Sequence, residues 1–200
     1  MTMSSGPVRP SPGPGALFEV TPMSADWEYL GFSVVEVTAD LTITELHEGR
    51  ETAIVPLSGG GLLGGIALAL KTACAGIHIV GVSMERGPAM VESLRAGRVV
   101  DIVEEPTIAD ALAGGIAPNV YTFDIIQRCV DETVLVSEDE IAGAMAFALK
   151  KHHLVVEGGG AVGIAALLYE KVERLGRRVA VVVSGGNVEL SLLIKVAGEH

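Results

Sequence analysis

From Thr52 onward, short apolar runs alternate with longer stretches of helical character, and the runs end in small polar turns. The pattern predicts strands over 53–57, 77–83, 133–136, 154–156 and 178–183. Between them it predicts helices over 62–74, 88–96, 122–130, 137–151 and 161–175, with a last helix over 188–196. Pro88 suits the first turn of its helix, and Ser137-Glu138-Asp139-Glu140 has the spacing of a capping box. About five strands alternating with helices imply βαβ units, hence an α/β fold with an open, mainly parallel sheet and flanking helices. The stretch 99–119 reads as a long loop, and loops of that length inside a compact domain are often functional.

Before Thr52 the pattern is weaker. Residues 1–15 are rich in Ser, Pro and Gly without an apolar segment, and are expected to form a disordered tail rather than a signal peptide or anchor. Residues 16–50 stay unassigned, with short strands read at Phe32-Ser33-Val34-Val35-Glu36-Val37 and Leu41-Thr42-Ile43-Thr44, and with the only tryptophan at Trp27. The apolar stretch 59–70 falls well short of the roughly 18 residues of a membrane span.

Composition narrows the possible partners. Two hundred residues with 49% hydrophobic content can bury one substantial core, and the 25 glycines cluster at the ends of apolar runs. A formal charge of -11 opposes nucleic acid and anionic membranes. An anionic ligand would therefore be held locally, by backbone N–H groups and helix N-termini. Cys74 and Cys129 lack metal-site spacing and read as buried or half-buried thiols of a reducing, cytoplasmic setting.

Three glycine turns carry the candidate chemistry. Ser58-Gly59-Gly60-Gly61-Leu62 follows a strand and opens a helix, where amides without an intervening Cβ can approach a phosphate. Gly59 to Gly64 also satisfies the dinucleotide pattern G-x-G-x-x-G, with Glu85 further on as a candidate ribose ligand. The same pattern recurs from Gly158 to Gly163, which lowers the value of each occurrence and leaves close packing as the simpler account of the second. Ser184-Gly185-Gly186-Asn187 puts a hydroxyl at a strand's carboxyl end, and Glu157 is the carboxylate best placed to lie near a site; an ordinary turn and a solvated acid are the plain alternatives.

Taken in order, Ile54 to Leu62, Pro106-Thr107-Ile108-Ala109-Asp110, Leu135 to Ile141, Val155-Val156-Glu157-Gly158 and Val183 to Asn187 resemble the fold type II pyridoxal-phosphate enzymes, specifically threonine/serine dehydratases and serine racemase. Gly81-Val82-Ser83-Met84-Glu85-Arg86-Gly87 is similar to the dehydratase branch associated with hydroxyectoine utilisation. The resemblance covers 51–198 and implies the large-domain part of a tryptophan synthase β-like fold. It implies pyridoxal 5'-phosphate as cofactor and a small hydroxy amino acid as substrate. Ser58, Gly59, Gly60, Gly61 and Leu62 would cradle the cofactor phosphate, Ser184 would meet the ring nitrogen, and Glu157 would orient the cofactor or its neighbours.

Departures from the family are equally specific. Its Ser-Phe-Lys segment, which carries the Schiff-base lysine, and its substrate-carboxylate loop are absent, and Lys71, Lys150, Lys151, Lys171 and Lys195 all fall in predicted helices. The chain is thus expected to be the C-terminal part of a dehydratase-like lyase, without a catalytic residue of its own and inactive alone. A homodimer, or a partner chain supplying the missing half, is the expected association. Ser83 stands where related enzymes use a carboxylate for a divalent cation, so no metal site is assigned. Ala111 stands where many relatives have glycine. A non-catalytic phosphate-ligand module and an NAD-binding Rossmann protein remain as alternatives.

Overall fold

The computed structural model describes residues 17–20, 31–36, 51–176 and 178–200. The expected tail at 1–15, Trp27 and the strand read at Leu41–Thr44 lie outside them. Strands β1 (Leu17–Val20), β2 (Gly31–Glu36), β3 (Thr52–Pro56), β4 (His78–Met84), β5 (Glu132–Val136) and β6 (Arg178–Val183) form one sheet in the order β1-β2-β6-β3-β4-β5. The β1–β2 pair is antiparallel and every other pair is parallel. The fold is α/β, with an open, mainly parallel sheet and helices on both faces.

Strict alternation along the central strands explains why both faces are covered. Ile54, Val80, Val82, Val179 and Val181 face helices α4 (Glu138–His152) and α5 (Gly158–Leu168), with Val196 of α6 (Leu190–Glu199) joining the same core. Ala53, Val55, Ile79, Ala180 and Val182 face α1 (Gly61–Ala73), α2 (Ala89–Ala96) and α3 (Tyr121–Cys129). Each fully buried Val, Leu or Ile contributes roughly 1.5–3 kcal/mol relative to exposure. The chain leaves β3 through α1 to reach β4 on one side, then returns from β5 through α4 and α5 to reach β6 on the other. The order of connection therefore reverses between β3 and β6, and open sheets bind ligands outside the carboxyl ends of their strands at such a point.

Two predicted elements differ. Residues 154–156 are not a strand: the left-handed His153 (φ 57) ends α4, and Leu154 N–H caps back to Ala148 O at 3.1 Å. The chain then enters α5 directly, touching the end of the sheet through Glu157 N–H to Gly185 O at 3.1 Å. Four strands rather than five therefore follow residue 51. The helix read over 161–175 begins at Gly158 and ends at Leu168. Glu170 adopts φ 53, its N–H bonds Leu167 O at 3.2 Å, and Lys171 N–H bonds Ala166 O at 2.9 Å. That pair of bonds is a Schellman ending, usually signalled by glycine; a glutamate there hid the stop.

Candidate functional site

The candidate residues begin where β3 ends. Pro56 closes the strand, Leu57 is buried, and Gly60 turns the chain with φ 87, a left-handed conformation that glycine adopts without strain. A side chain at Gly60 would drive into Ile126 of α3, so this glycine also lets the turn seat against its neighbours. A Cβ added at Gly59 or Gly61 would meet nothing within 4 Å. The turn thus presents bare backbone on its open side.

Helix α1 starts at Gly61 with no side-chain cap and no acidic residue in its first turn. The N–H groups of Gly59, Gly60 and Gly61 find no backbone acceptor among the described residues. Uncapped amides together with the positive end of the helix dipole favour an anion here. The turn is anchored from outside: Thr122 Oγ1 donates to Gly59 O at 2.7 Å, and Ser58 Oγ donates to Leu112 O at 3.0 Å.

The opposite wall comes from the adjacent strand β6. Ser184 follows its last residue, is half-buried, and has no hydrogen-bond partner among the described residues. Glu157 holds the N-cap position of α5, but its side chain makes no bond to that helix; Oε2 instead accepts from Asn187 N–H at 2.9 Å. With the Glu157 N–H to Gly185 O bond, this fixes the serine's turn at two points. A Cβ at Gly185 would overlap the Glu157 carboxylate and push it from its place, so glycine here lets that carboxylate sit against the turn.

A third segment supplies the floor. The Pro106–Leu112 stretch includes a short 3₁₀ turn, Asp110–Leu112. Glu138, in the first turn of α4, accepts from Thr107 Oγ1 at 2.5 Å and from Ile108 N–H at 2.8 Å. Arg86 Nη1 adds a bond to Pro106 O at 2.7 Å. The glycines opening α5 make the close approach possible. Gly158 lies against the Ile108 carbonyl, a Cβ on Gly159 would be 3.2 Å from Ala111 Cβ, and one on Gly160 would be 2.9 Å from Gly185 O. The second glycine pattern is therefore a packing device inside a helix.

These segments enclose a cleft of about 330 Å³, lined by Pro56, Ser58, Gly59, Gly60, Gly61, Leu62, Ala111, Leu112, Glu157, Gly159 and Ser184. All seven residues expected at a cofactor are brought together, at the switch point between β3 and β6. Leu112 was not singled out in the sequence, although it closes the Pro106–Asp110 motif; Pro56 and Gly159 lay in stretches that the sequence picked out but were not assigned to the site.

Other candidates fall elsewhere. None of the five lysines lines the cleft. Lys71 bonds Ile77 O at 2.7 Å and pairs with Asp131 at 2.7 Å, and Lys171 pairs with Glu140 at 2.7 Å. Lys150, Lys151 and Lys195 are exposed. Ser83 is buried, with only a 3.5 Å contact to Met84 Sδ. Among the described residues no group of three or more His, Cys, Asp or Glu side chains could hold a metal ion, and no helix is long and apolar enough to cross a membrane. Glu85 is exposed and does not line the cleft. Gly64 serves the contact between α1 and α3, where an added Cβ would lie 3.5 Å from Ile125 Cγ2. The dinucleotide alternative thus lacks its acidic partner.

The family described as pyridoxal-phosphate dependent enzyme matches residues 23–185. The chain is 40% identical over 159 residues to an L-threonine ammonia-lyase of Thermotoga maritima, covering 80% of this chain and 39% of that protein. It is 43% identical over 156 residues to a putative threonine dehydratase of Sinorhizobium fredii, covering 78% and 47%. Among solved structures, maize serine racemase superposes with a TM-score of 0.68 at 30% identity, covering 79% of this chain and 49% of that one. The chain spans less than half the length of each of these proteins.

Proposed function

The chain belongs to the pyridoxal-phosphate-dependent enzymes, and from that premise we propose that residues 51–198 are the C-terminal, cofactor-holding part of a threonine/serine dehydratase-like lyase. One observation carries the reading: Ser58 to Leu62, Glu157 and Ser184 share a single cleft at the ends of two adjacent parallel strands. The residues fit the cofactor chemically. Gly59 and Gly61 leave open space, the α1 N-terminus has no side-chain cap, and on the facing turn stands a hydroxyl with no partner among the described residues.

When bound, pyridoxal phosphate supplies an electron sink for the bond broken at the substrate's α carbon. The amides of Gly59, Gly60 and Gly61 bind and orient its phosphate. Ser184 offers a neutral hydrogen bond to the ring nitrogen, which leaves the sink weaker than a carboxylate would and suits elimination. Glu157 holds that serine's turn in place. Leu112 and Ala111 fill the floor and keep water from it. None of the chain's five lysines lines the cleft, so on this reading the α-proton base would be a lysine supplied from outside this chain.

The whole protein would remove water from a small hydroxy amino acid, threonine or serine, and hydrolysis of the enamine so formed would give a 2-oxo acid and ammonia, in the cytoplasm. Residues 16–50 would stand where relatives carry their N-terminal half, after a tail at 1–15. Association, as a homodimer or with a chain bearing the lysine, would complete the site. A second reading, a phosphate-ligand module that never turns over, is favoured by the lysine-free cleft.

Titration of the purified chain with pyridoxal phosphate, followed by absorbance, tests the proposal. Saturable binding is expected, lost in Gly61→Asp, with no cofactor fixed to protein by borohydride and no 2-oxo acid formed from threonine or serine. Turnover by the chain alone, or Gly61→Asp binding as tightly as the parent, would refute it. Turnover that appears when a lysine-bearing N-terminal half is added distinguishes the split enzyme from the binding module.

A further inference from the structure

We propose that Thr122, on α3 and outside the cleft, is a positioning residue that sets the anion affinity of the glycine turn by fixing the Gly59–Gly60 peptide. The inference rests on the reading of that turn as a phosphate cradle. Thr122 Oγ1 donates to Gly59 O at 2.7 Å. A trans peptide is planar, so its carbonyl and the following N–H point in opposite directions. Drawing the Gly59 carbonyl toward α3 therefore turns the Gly60 N–H away from α3, to the side where the cleft lies. That N–H has no backbone acceptor among the described residues, as a group kept for a ligand requires.

The alternative orientation would be harmful. With φ 87 at Gly60, the peptide before it has no side chain to resist rotation, and glycines on both sides of the turn allow it to flip. A flipped peptide would put a carbonyl oxygen where an anion must sit, replacing an attractive dipole with a repulsive one. Packing restrains Gly60 itself, since a Cβ there would lie 3.1 Å from both Met90 Cε and Thr122 Cβ, but packing does not choose the direction of the preceding carbonyl. The Thr122 hydroxyl does. Ser58 cannot replace it, because its hydroxyl is committed to Leu112 O. Thr122 does not line the cleft, so it acts through the peptide alone.

Calorimetric titration of the full chain with inorganic phosphate, and separately with pyridoxal phosphate, tests this alongside thermal melts. Thr122→Val keeps the shape and removes the donor; Thr122→Ala removes the donor without crowding Gly60; Thr122→Ser keeps the donor. The valine and alanine variants are expected to weaken phosphate binding by about five- to tenfold, with serine within about twofold of the parent, the range one net hydrogen bond covers. Melting temperatures should stay together across the set. Parent-like binding by the valine and alanine variants would overturn the role of Thr122. So would a serine variant as weak as valine, or losses of affinity that follow losses of melting temperature. Failure of the parent chain to bind either anion would overturn the phosphate-cradle reading itself, and this proposal with it.

Discussion

At Gly59 an added methyl group would enter open space, whereas at Gly158 it would strike the carbonyl of Ile108. Both residues open a run of three glycines after an apolar stretch, and nothing local in the sequence separates them. What does is a non-local neighbour, the 106–112 segment pressed onto the start of α5. Gly59→Ala should therefore leave stability within about 0.5 kcal/mol in urea denaturation, while weakening pyridoxal phosphate binding because the methyl occupies the open face of the cradle. Gly158→Ala should lose about 1–3 kcal/mol in the same measurement, since backbone on the other side cannot step away easily. A Gly158→Ala variant as stable as the parent would mean that the 106–112 segment moves freely. Ser58 and Ser184 were legible as turn residues at strand ends, whereas Glu157 was read from a strand at 154–156 and in fact stands at the start of α5. Thr122 was not, because its partner is a carbonyl far away in sequence.

Among the elements, the α4 capping box was legible in full: Ser137 Oγ accepts from Glu140 N–H at 3.3 Å, and Glu140 Oε2 accepts from Ser137 N–H at 2.8 Å. Ser137→Ala should cost about 1 kcal/mol, read from urea or thermal unfolding. Local side-chain chemistry makes such a start visible. Stops made by ordinary residues are not visible in this way: His153 and Glu170 take left-handed conformations because the chain must turn back onto the core, a demand set by packing. The misread strand at 154–156 has the same origin. Three apolar residues satisfy a strand pattern, but no neighbouring strand has a free edge where they pass.

At the scale of the whole molecule, the described lysine–carboxylate pairs Lys71–Asp131 and Lys171–Glu140 join segments distant in sequence. Burial would raise the Asp131 carboxyl, but bonds from Lys71 and the Ile79 N–H, with the Lys71 charge, outweigh it and hold it below its ordinary 3.8. Burial likewise opposes, and Lys171 and Ser137 overcome, a shift of Glu140 below its ordinary 4.5. A carboxyl lowered in the folded state adds stability that is present above its ordinary value and lost as pH falls toward the folded one. The urea midpoint should hold steady down to about pH 5 and then fall, as the ordinary values of 4.5 and 3.8 are passed. Lys71→Met and Lys171→Met should flatten that fall, and an unchanged slope would show that other groups control it. The parallel α/β order was legible because buried strands and amphipathic helices alternate cleanly. The pairing of β6 with β3 was not, because it joins chain segments whose closeness is a property of the topology. That pairing has a temporal consequence. The glycine turn leaves the ribosome long before Ser184, so the cleft cannot exist until β6 has docked beside β3. A bound ligand would thereby certify a finished fold, holding shut one of the longer loops the chain has to close.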